Sequence, residues 1–573
     1  MVKIWVNCRQ VSKSSRPLSL LNVRKESLVN VNSKKNRLDA LGDEEYDIVV
    51  IGGGITGANV LWDASLRGYK VLLLEKNDYA SGTTQATSKL IHGGLRYLKN
   101  LEFGLVRESL RERRILAKIS PHAVRTLGFI VPLYSHTARY ILKAGMELYN
   151  LLSYDRNFDI SPDRFIPRYH WNSLAETIYK TPSANREGLI GSYQYYDYAN
   201  INPERHTSEF ISSAKERGGQ AFNYAEVKFI RKQNKAGYII GVHDKVTGKE
   251  KTILCKTVVN SAGPWADLIE SIAGVTHEKN LVRSKGIHAV VRNICSKECI
   301  ILQKKDGSHL FVIPWRNKTI IGTTDTKYDD DPNQFTVKES EILDLLEEVN
   351  RSFGLSTLTL KDVDYYYGGL RPLVEDPTEK SETYSASRKS EIMHYAGEGF
   401  PGFFSALGGK YTTSRSVAES LVDQIADYLP KPVRPCSTHL EPLLGGHYDD
   451  LKSLTSELEK KFPKADGLKI EQIANRYGSL AYKILQNKPG VNFQLANGEW
   501  IFEEEIFHIL ENDDIVSATD FYFRRSGVGT VGALNSKDNQ LLLARIAKQL
   551  SWDKKKITLE TKLVDQRYIW AKG

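Results

Sequence analysis

YDIVVIGGGITG, residues 46–57, is the stretch that decides the fold. The β-branched run Tyr46–Ile51 predicts a buried parallel strand, and it ends abruptly in glycines. A helix-like stretch over residues 57–67 follows, and a second apolar run, Val71–Leu74, is closed by Glu75. The order strand, loop, helix, strand predicts a βαβ unit, and with it an α/β fold of the Rossmann type.

The glycines of this loop follow the pattern G-x-G-x-x-G, which is met by Gly52, Gly54 and Gly57. Such glycines let backbone N–H groups and the N-terminus of the following helix approach a pyrophosphate. Glu75, at the end of the second strand, is placed to accept the ribose hydroxyls of an adenosine. A tight turn without a ligand would leave Glu75 unexplained. We therefore predict a dinucleotide site, which also includes Thr56.

A second block, VVNSAGPW at residues 258–265, resembles the second fingerprint of flavoproteins. In such proteins a strand and a turn of small residues pack beside the dinucleotide, so that Ala262 and Gly263 are candidate contacts. Taken alone, a block of this kind is more often an ordinary strand-to-turn junction. Together with the first loop it favours FAD over NAD.

The segment GTTQATSKLIHGGLRYL, residues 82–98, is the most informative in the chain. With the first loop it closely resembles the flavin-dependent glycerol-3-phosphate dehydrogenases. Matching blocks keep the family's order from residue 46 to about residue 420, and the tail resembles the family's C-terminal domain. These blocks are SKGIH (284–288), FVIPW (311–315), IGTTD (321–325), GLRPL (369–373) and GGKYTTSR (408–415).

The predicted architecture is α/β, with a Rossmann-type FAD-binding domain, an antiparallel β-sheet layer for substrate binding and an all-α C-terminal domain. Short strand-like runs dominate from residue 120 to about residue 401, which is typical of such a layer. Charged helical patterns follow Pro432 and Pro435. We expect a basic extension over residues 1–42, interleaved FAD- and substrate-binding parts over residues 43–433, and a separate helical domain over residues 434–573.

Two arginines with glycine neighbours, Arg96 and Arg371, offer guanidinium forks suited to a dianionic phosphate, and Tyr97 adds a neutral donor. Each arginine alone is more often a surface ion pair, but the glycines indicate close backbone approach to a ligand. Lys410 follows two glycines at a predicted helix start, where its charge could stabilise an anionic reduced flavin; a solvent-exposed lysine is the alternative. By resemblance, the ligands are flavin and glycerol 3-phosphate, and Arg371 and Lys410 also count as catalytic candidates.

The resemblance implies oxidation of sn-glycerol 3-phosphate to dihydroxyacetone phosphate, with hydride transfer from C2 to FAD N5. Such a reaction needs a base for the proton of the C2 hydroxyl, and histidine suits this near neutral pH. His288 is the favoured base and His92 the alternative, although either histidine could be structural and His92 could position the flavin. The further cofactor contacts implied by the matching blocks are Thr83, Thr84, Ser88, Leu90, Gly409 and Thr412.

The net charge of +10 does not indicate a nucleic-acid partner. Residues 1–42 hold nine Lys/Arg and two acidic residues, so that the rest of the chain carries only about +3. The extension is equally compatible with a transit peptide, a disordered tail and a misplaced start codon. We expect a cytoplasmic protein, peripheral on the inner face of the cell membrane, with the mitochondrial inner membrane as the alternative if the extension is a transit peptide.

No stretch approaches the roughly 18 uninterrupted apolar residues of a membrane span, so that any membrane contact must be peripheral. Residues 139–154 fit either a helix in a bilayer interface or a buried amphipathic helix. The resemblance implies a quinone as the electron acceptor. The alternatives are a glycerol-3-phosphate oxidase that uses oxygen, whose usual extra insertion has no obvious counterpart here, and an amine or amino-acid oxidase of the same fold.

The five cysteines are too few and too scattered for a disulfide framework. Cys295 and Cys299 could be half of a metal site, but no second Cys/His pair with ligand spacing accompanies them. We therefore predict no metal. The oligomeric state is open, and a homodimer is compatible with the sequence.

Overall fold

The computed structural model describes residues 37–38, 41–233, 236–276, 280–304, 308–353, 358–375, 390–429, 434–487 and 490–571. Most of the predicted basic extension, residues 1–36 and 39–40, lies outside the described residues, as does the segment 430–433 beside the predicted domain boundary. Targeting by the extension and the position of that boundary therefore stay predictions.

Strands and helices are mixed along the chain as far as residue 428, with runs of consecutive strands between residues 220 and 260 and between residues 280 and 328. Within the described residues they are β1 (Tyr46–Ile51), β2 (Val71–Leu74), β3 (Leu90–Ile91), β4 (Val124–Leu133), β5 (His170–Asn172), β6 (Gly191–Asn200), β7 (Gln220–Phe222), β8 (Ala225–Lys232), β9 (Tyr238–Asp244), β10 (Glu250–Asn260), β11 (Asn280–Arg292), β12 (Cys299–Gln303), β13 (His309–Trp315), β14 (Lys318–Gly322), β15 (Thr326–Tyr328), β16 (Val363–Glu375), β17 (Ser390–His394), β18 (Phe403–Gly408), β19 (Asn492–Gln494) and β20 (Trp500–Phe502).

The helices are concentrated after residue 413. Within the described residues they are α1 (Ile55–Arg67), α2 (Phe103–Ile119), α3 (His136–Leu152), α4 (Leu174–Lys180), α5 (Pro203–Glu216), α6 (Ala266–Ala273), α7 (Glu339–Phe353), α8 (Ser414–Tyr428), α9 (Leu451–Lys461), α10 (Gly467–Tyr477), α11 (Ala481–Leu485), α12 (Glu503–Asn512), α13 (Ala518–Asp520), α14 (Ser536–Leu550) and α15 (Lys554–Gln566).

The first sheet has the strand order β17-β18-β10-β1-β2-β7, and its strands from β18 to β7 are parallel. The β8–β9 hairpin extends β10, and β17 is antiparallel to β18. Ile51 is in register with Leu74 on one side and Asn260 on the other, so that three strand ends meet at one edge. In parallel sheets this carboxyl edge is where ligands bind. The predicted Rossmann-type fold is confirmed.

The second sheet has the strand order β15-β11-β14-β13-β12-β4-β6-β3, with β16 on β11 and β5 on β6. Its pairings are antiparallel except for β4 with β12, which run parallel. The predicted antiparallel layer therefore contains one parallel pairing. Helices also interrupt it: α3 overlaps the helix predicted over residues 139–154, whereas α5 and α7 lie in the region where short strands are predicted to dominate.

The C-terminal part is helical, as predicted, and it adds a two-stranded hairpin of β19 and β20. Ile506 and Phe521 of this part belong to the same buried hydrophobic cluster as Phe129 and Tyr367 of the second sheet. The two parts are therefore packed over a common core rather than joined by a bare linker. Among the described residues no helix is both long and apolar enough to cross a bilayer.

Candidate active site

The first loop has two positions, Gly52 and Gly57, at which only glycine fits. Gly52 has a φ of +111°, and a Cβ there would lie 2.5 Å from the carbonyl oxygen of Ser261. A Cβ on Gly57 would overlap the Gly52 carbonyl oxygen. The loop, the turn after β10 and the start of α1 are therefore in direct backbone contact, which leaves room for a ligand to approach the N–H groups of α1.

Thr84 and Glu75 organise the two sides of this loop. The Oγ1 of Thr84 accepts a hydrogen bond from the Ile55 amide at 3.1 Å, at the start of α1. The Glu75 carboxylate accepts from the amides of Gly53 at 2.7 Å and Asn77 at 2.8 Å. Burial raises the pKa of Glu75, although these amides oppose the effect. Glu75 therefore fixes the loop while lying where an adenosine ribose is expected.

A cleft of about 300 Å³ runs along the carboxyl edge of the first sheet. Its glycine-rich wall and peptide N–H groups fit the pyrophosphate and ribose of FAD. Gly57, Ser88, Leu90 and Thr412, four of the predicted cofactor contacts, are not in its lining. The other predicted contacts line it: Gly52, Gly54, Thr56, Glu75, Thr83, Thr84, Ala262, Gly263 and Gly409, joined by Lys410.

The register of β11 and β16 brings His288 opposite Tyr367 in the second sheet. The two rings stack with centroids 4.8 Å apart and an interplanar angle of 12°. The Ser88 hydroxyl lies 2.9 Å from His288 Nε2, whereas His288 Nδ1 is buried and has no hydrogen-bond partner among the described residues. Burial, then the charges of Arg371 and Lys89, hold the pKa of His288 well below its usual value. The imidazole is therefore neutral at physiological pH.

Arg371 lies on the same face of β16, opposite Ser284. Its guanidinium donates to Thr323 Oγ1 at 2.7 Å, to the Thr324 carbonyl at 3.0 Å and to Ser284 Oγ at 3.1 Å. Asp325 is 3.7 Å away. The guanidinium group that is predicted to bind phosphate is thus already hydrogen-bonded within the protein. Arg371 therefore contributes a positive charge near His288 in a fixed orientation.

Arg96, Tyr97 and Lys410, three predicted substrate residues, are brought together although Lys410 is far away in sequence. The Lys410 ammonium lies 4.5 Å from the centre of the Tyr97 ring, and it donates to Ser109 Oγ at 2.7 Å. The Arg96 guanidinium lies 4.8 Å from the same ring and donates to the Tyr97 hydroxyl at 3.2 Å. The two cations Arg96 and Lys410 therefore lie around the same tyrosine ring, next to the cleft that Lys410 lines.

His92 lies in a different environment from His288. Its Nδ1 accepts a hydrogen bond from the Gly94 amide at 3.1 Å, and its ring is 6.5 Å from that of Phe311. This local bond fixes the orientation of the ring within its own turn. It fits the alternative in which His92 positions a neighbouring group.

Sequence reasoning missed Ser109, Tyr367 and the ion pair of Lys89 with Glu204. Lys89 lies inside the most informative segment, between two predicted contacts, and its position there was the available signal. Ser109 and Glu204 lie on helices α2 and α5, where nothing in the local pattern distinguishes them from other polar helical residues. Only the packing of those helices brings them to the site.

Among the described residues, Glu419, Cys436 and His439 form one group of potential metal ligands, with ligand atoms within 4.8 Å of one another. Glu419 also accepts from Arg415 at 2.8 Å, and Arg111 is 3.7 Å away. Burial raises the pKa of the Cys436 thiol to about 11. Two guanidinium groups on the carboxylate disfavour a cation there, and the absence of a metal stays a prediction.

Comparison with known families agrees with this geometry. The family described as FAD dependent oxidoreductase matches residues 47–415, and the one described as C-terminal domain of alpha-glycerophosphate oxidase matches residues 436–557. The chain is 35% identical over 459 residues to the glycerol-3-phosphate dehydrogenase of Synechocystis sp., covering 77% of this chain and 80% of that protein. It is 31% identical over 509 residues to the aerobic glycerol-3-phosphate dehydrogenase of Staphylococcus aureus, covering 86% and 88%.

Solved structures extend the likeness to the whole fold. The glycerol-3-phosphate dehydrogenase from Bacillus halodurans complexed with FAD superposes with a TM-score of 0.73 at 26% identity, covering 93% of this chain and 97% of that one. The L-alpha-glycerophosphate oxidase from Mycoplasma pneumoniae, with FAD bound, has a TM-score of 0.50 at 16% identity and shows the fold alone. FAD is therefore the cofactor, and the chain belongs to the family of FAD-dependent glycerol-3-phosphate dehydrogenases and oxidases.

Proposed function

We propose that the protein oxidises sn-glycerol 3-phosphate to dihydroxyacetone phosphate and passes the electrons to a quinone. The observation that carries this proposal is the position of Lys410, which lines the cofactor cleft and also lies, with the second cation Arg96, against the Tyr97 ring. A phosphate held there would place its carbon chain beside the cofactor. The names of the relatives support the same substrate.

The residues present fit the cofactor. Gly52 and Gly54 open the backbone toward the pyrophosphate, Glu75 lies at the ribose position, and Thr84 braces the start of α1. Bound FAD supplies an acceptor for the two electrons that leave C2 of the substrate as hydride. The role of the protein is to orient the substrate and to accept the hydroxyl proton.

His288 is the proton acceptor in this proposal. If its Nε2–H donates to Ser88 Oγ, the lone pair of the unpartnered Nδ1 is available for the C2 hydroxyl proton. The C2–H bond breaks as hydride leaves, the C2–O bond becomes a carbonyl, and the proton goes to Nδ1. Arg371, in its fixed orientation, stabilises the negative charge that develops on the oxygen.

The test is an anaerobic addition of sn-glycerol 3-phosphate to the FAD-loaded protein while the oxidised-flavin absorbance is followed. We expect rapid bleaching, fast reoxidation by a short-chain quinone, and slow reoxidation by oxygen. A flavin that stays oxidised would refute the substrate. Reoxidation by oxygen as fast as by quinone, with stoichiometric peroxide, would support the oxidase instead.

Peripheral membrane contact is the part of the proposal that concerns α3. This helix buries Met146 and Tyr149 against the second sheet, but Tyr140, Ile141 and Leu151 are about two-thirds exposed. The helix is thus only partly buried, and its exposed apolar side chains support the interfacial alternative predicted for residues 139–154. Exposed apolar side chains on one helix face are suited to insertion into a bilayer interface, where quinone is dissolved.

This contact is tested by flotation with anionic phospholipid vesicles. The double variant Ile141→Glu/Leu151→Glu should lose vesicle binding while it keeps reduction by substrate. The matched control is Leu559→Glu/Ile569→Glu, which changes two exposed apolar residues near the C-terminus and should bind as the parent does. Equal binding by both double variants would exclude α3 as the contact.

A further inference from the structure

Lys89 and Glu204 form a buried ion pair that the function proposed above does not use. Their side chains are 2% and 4% exposed. The Lys89 ammonium also donates to the Gln85 carbonyl at 3.1 Å. Removing two charges from water is costly even when they are paired, and well-packed apolar residues often serve stability equally well. A pair of this kind beside a reactive histidine therefore suggests a role other than stability.

The pair is connected to the proposed base through one aromatic ring. The Lys89 ammonium lies 5.1 Å from the centre of the Tyr367 ring, within the range of a cation–π contact. The His288 imidazole stacks on that same ring at 4.8 Å. Tyr367 is buried and is the cross-strand partner of His288. The position of the Tyr367 ring therefore affects the position of the His288 imidazole that stacks on it.

Three consecutive residues hold this arrangement. The Thr87 carbonyl accepts from the Tyr367 hydroxyl at 3.0 Å, Ser88 Oγ lies 2.9 Å from His288, and Lys89 pairs with Glu204. Lys89 has a φ of +56°, in the left-handed region that costs a residue with a side chain about 1 kcal/mol. Backbone strain of this kind persists where the surroundings over-determine it, which is common at functional sites.

We propose that Lys89 and Glu204 are a positioning pair for the base: they hold Tyr367 against His288 and favour the neutral, proton-accepting form of its imidazole. This inference rests on the proposed function and deepens it. Glu204, at the first turn of α5, fixes the ammonium, and the ammonium acts on the imidazole through Tyr367 and through its charge.

The charged and titratable groups facing His288 fix the sign of the expected effect. Lys89 lies on the segment before β3, Tyr367 and Arg371 lie on β16, and Asp325 is paired with Arg371. Burial lowers the pKa of His288 most, and Arg371 and Lys89 lower it further. Removing the Lys89 charge therefore raises this pKa, so that the base becomes protonated at a higher pH and the acid limb of flavin reduction moves upward.

The test compares two double variants of the FAD-loaded enzyme, by stopped-flow flavin reduction with saturating sn-glycerol 3-phosphate between pH 5 and pH 9. Lys89→Met/Glu204→Gln removes both charges at similar volume. We expect a rate about threefold to tenfold lower on the acid limb, with the high-pH plateau retained. Lys469→Met/Glu504→Gln removes another buried pair, 2.7 Å apart and formed between α10 and α12, and should keep the parent profile.

Lys89→Arg is a third variant, which keeps the charge and serves if the double variant does not load FAD. Its acid limb should stay where the parent has it, even if its rate falls. An unchanged profile in the double variant, a rate that falls by the same factor at every pH, or a shifted limb in Lys89→Arg would overturn the inference. A parent enzyme that glycerol 3-phosphate does not reduce at any pH would instead refute the proposed function.

Discussion

His288 and His92 differ in the hydrogen bonding of the ring nitrogen Nδ1. His92 uses Nδ1 to accept from the amide of Gly94, two residues away, whereas His288 keeps a buried Nδ1 without a partner among the described residues. A buried polar atom without a partner costs about 1–3 kcal/mol unless a ligand or water satisfies it. At the scale of single residues, this makes His288 the better candidate for contact with substrate.

We expect His288→Asn to lower the rate of flavin reduction by about 10²- to 10⁴-fold, because asparagine cannot accept the proton. The rate is measured by anaerobic stopped-flow at saturating sn-glycerol 3-phosphate. His92→Asn is the comparison, and it should have a clearly smaller effect, since its ring makes a local turn contact. The reverse order of the two effects would assign the base to His92.

The glycine loop shows how an element, rather than a residue, forms the cofactor site. Gly52 directly follows β1, and its backbone lies against the turn that follows β10. The carboxyl ends of these strands are adjacent because they are parallel and in register. A side chain at this position would separate the two turns and displace the start of α1.

Gly52→Ala should therefore abolish tight FAD binding, because its Cβ would lie 2.5 Å from the Ser261 carbonyl oxygen at a φ of +111°. Flavin content after gel filtration and the dissociation constant for added FAD measure the effect. Gly68→Ala is the control. It has a similar backbone, with a φ of +92°, but nothing within 4 Å of the added carbon, and should cost about 1 kcal/mol of stability without loss of FAD. Equal FAD loss in both variants would mean that strain, not the loop contact, is responsible.

The C-terminal domain is joined to the cofactor-binding part by a buried ionic cluster, which belongs to the scale of the whole molecule. Asp78 lies just after Glu75 and accepts from Arg525 through both carboxylate oxygens at 2.8 Å, and from Arg524. All three side chains are buried. These contacts join residues more than 400 positions apart in the sequence. They thus fix the segment that follows Glu75, the residue at the expected ribose position.

Arg525→Met should lower stability by about 3–5 kcal/mol, because it leaves part of the Asp78 charge buried without compensation. It should also weaken FAD binding, since the segment after Glu75 loses an anchor. Arg545→Met removes a partly exposed pair with Glu503, 3.3 Å apart, and should change stability by less than about 1 kcal/mol. Thermal melting and FAD titration measure both effects, and equal losses in the two variants would contradict the role of the cluster.

Besides His288, two buried neutral histidines make the whole fold sensitive to acid. Burial lowers the pKa of His206 to about 3 and that of His508 to about 4. Below about pH 6.5 the unfolded chain takes up these protons before the folded chain does. The free energy of unfolding therefore decreases by about 1 kcal/mol for each group and each pH unit by which the pH is lowered. The apparent melting temperature should drop between pH 7 and pH 5, and His508→Asn should reduce that slope. An unchanged slope in the variant would exclude His508 as a source.

The sequence by itself determined the βαβ unit, the glycine loop with Glu75, the order of the family's blocks and the helical C-terminal part. Apart from the block order, these features are local: glycine spacing, continuous apolar runs and helical periodicity are complete within a few neighbouring residues. The candidate residues Arg96, Tyr97, Lys410, His288 and Arg371 could be named in the same way, because each lies within a short, characteristic block.

Only the tertiary structure decided which of these residues meet. The β11–β16 register places His288 on Tyr367, the packing of α2 brings Ser109 to Lys410, and the packing of α5 brings Glu204 to Lys89. Periodicity shows which face of an element is buried, but not which element covers it. The partner is chosen by the packing of strands and helices distant in sequence, because burial and pairing energies are summed over the whole core rather than within one segment.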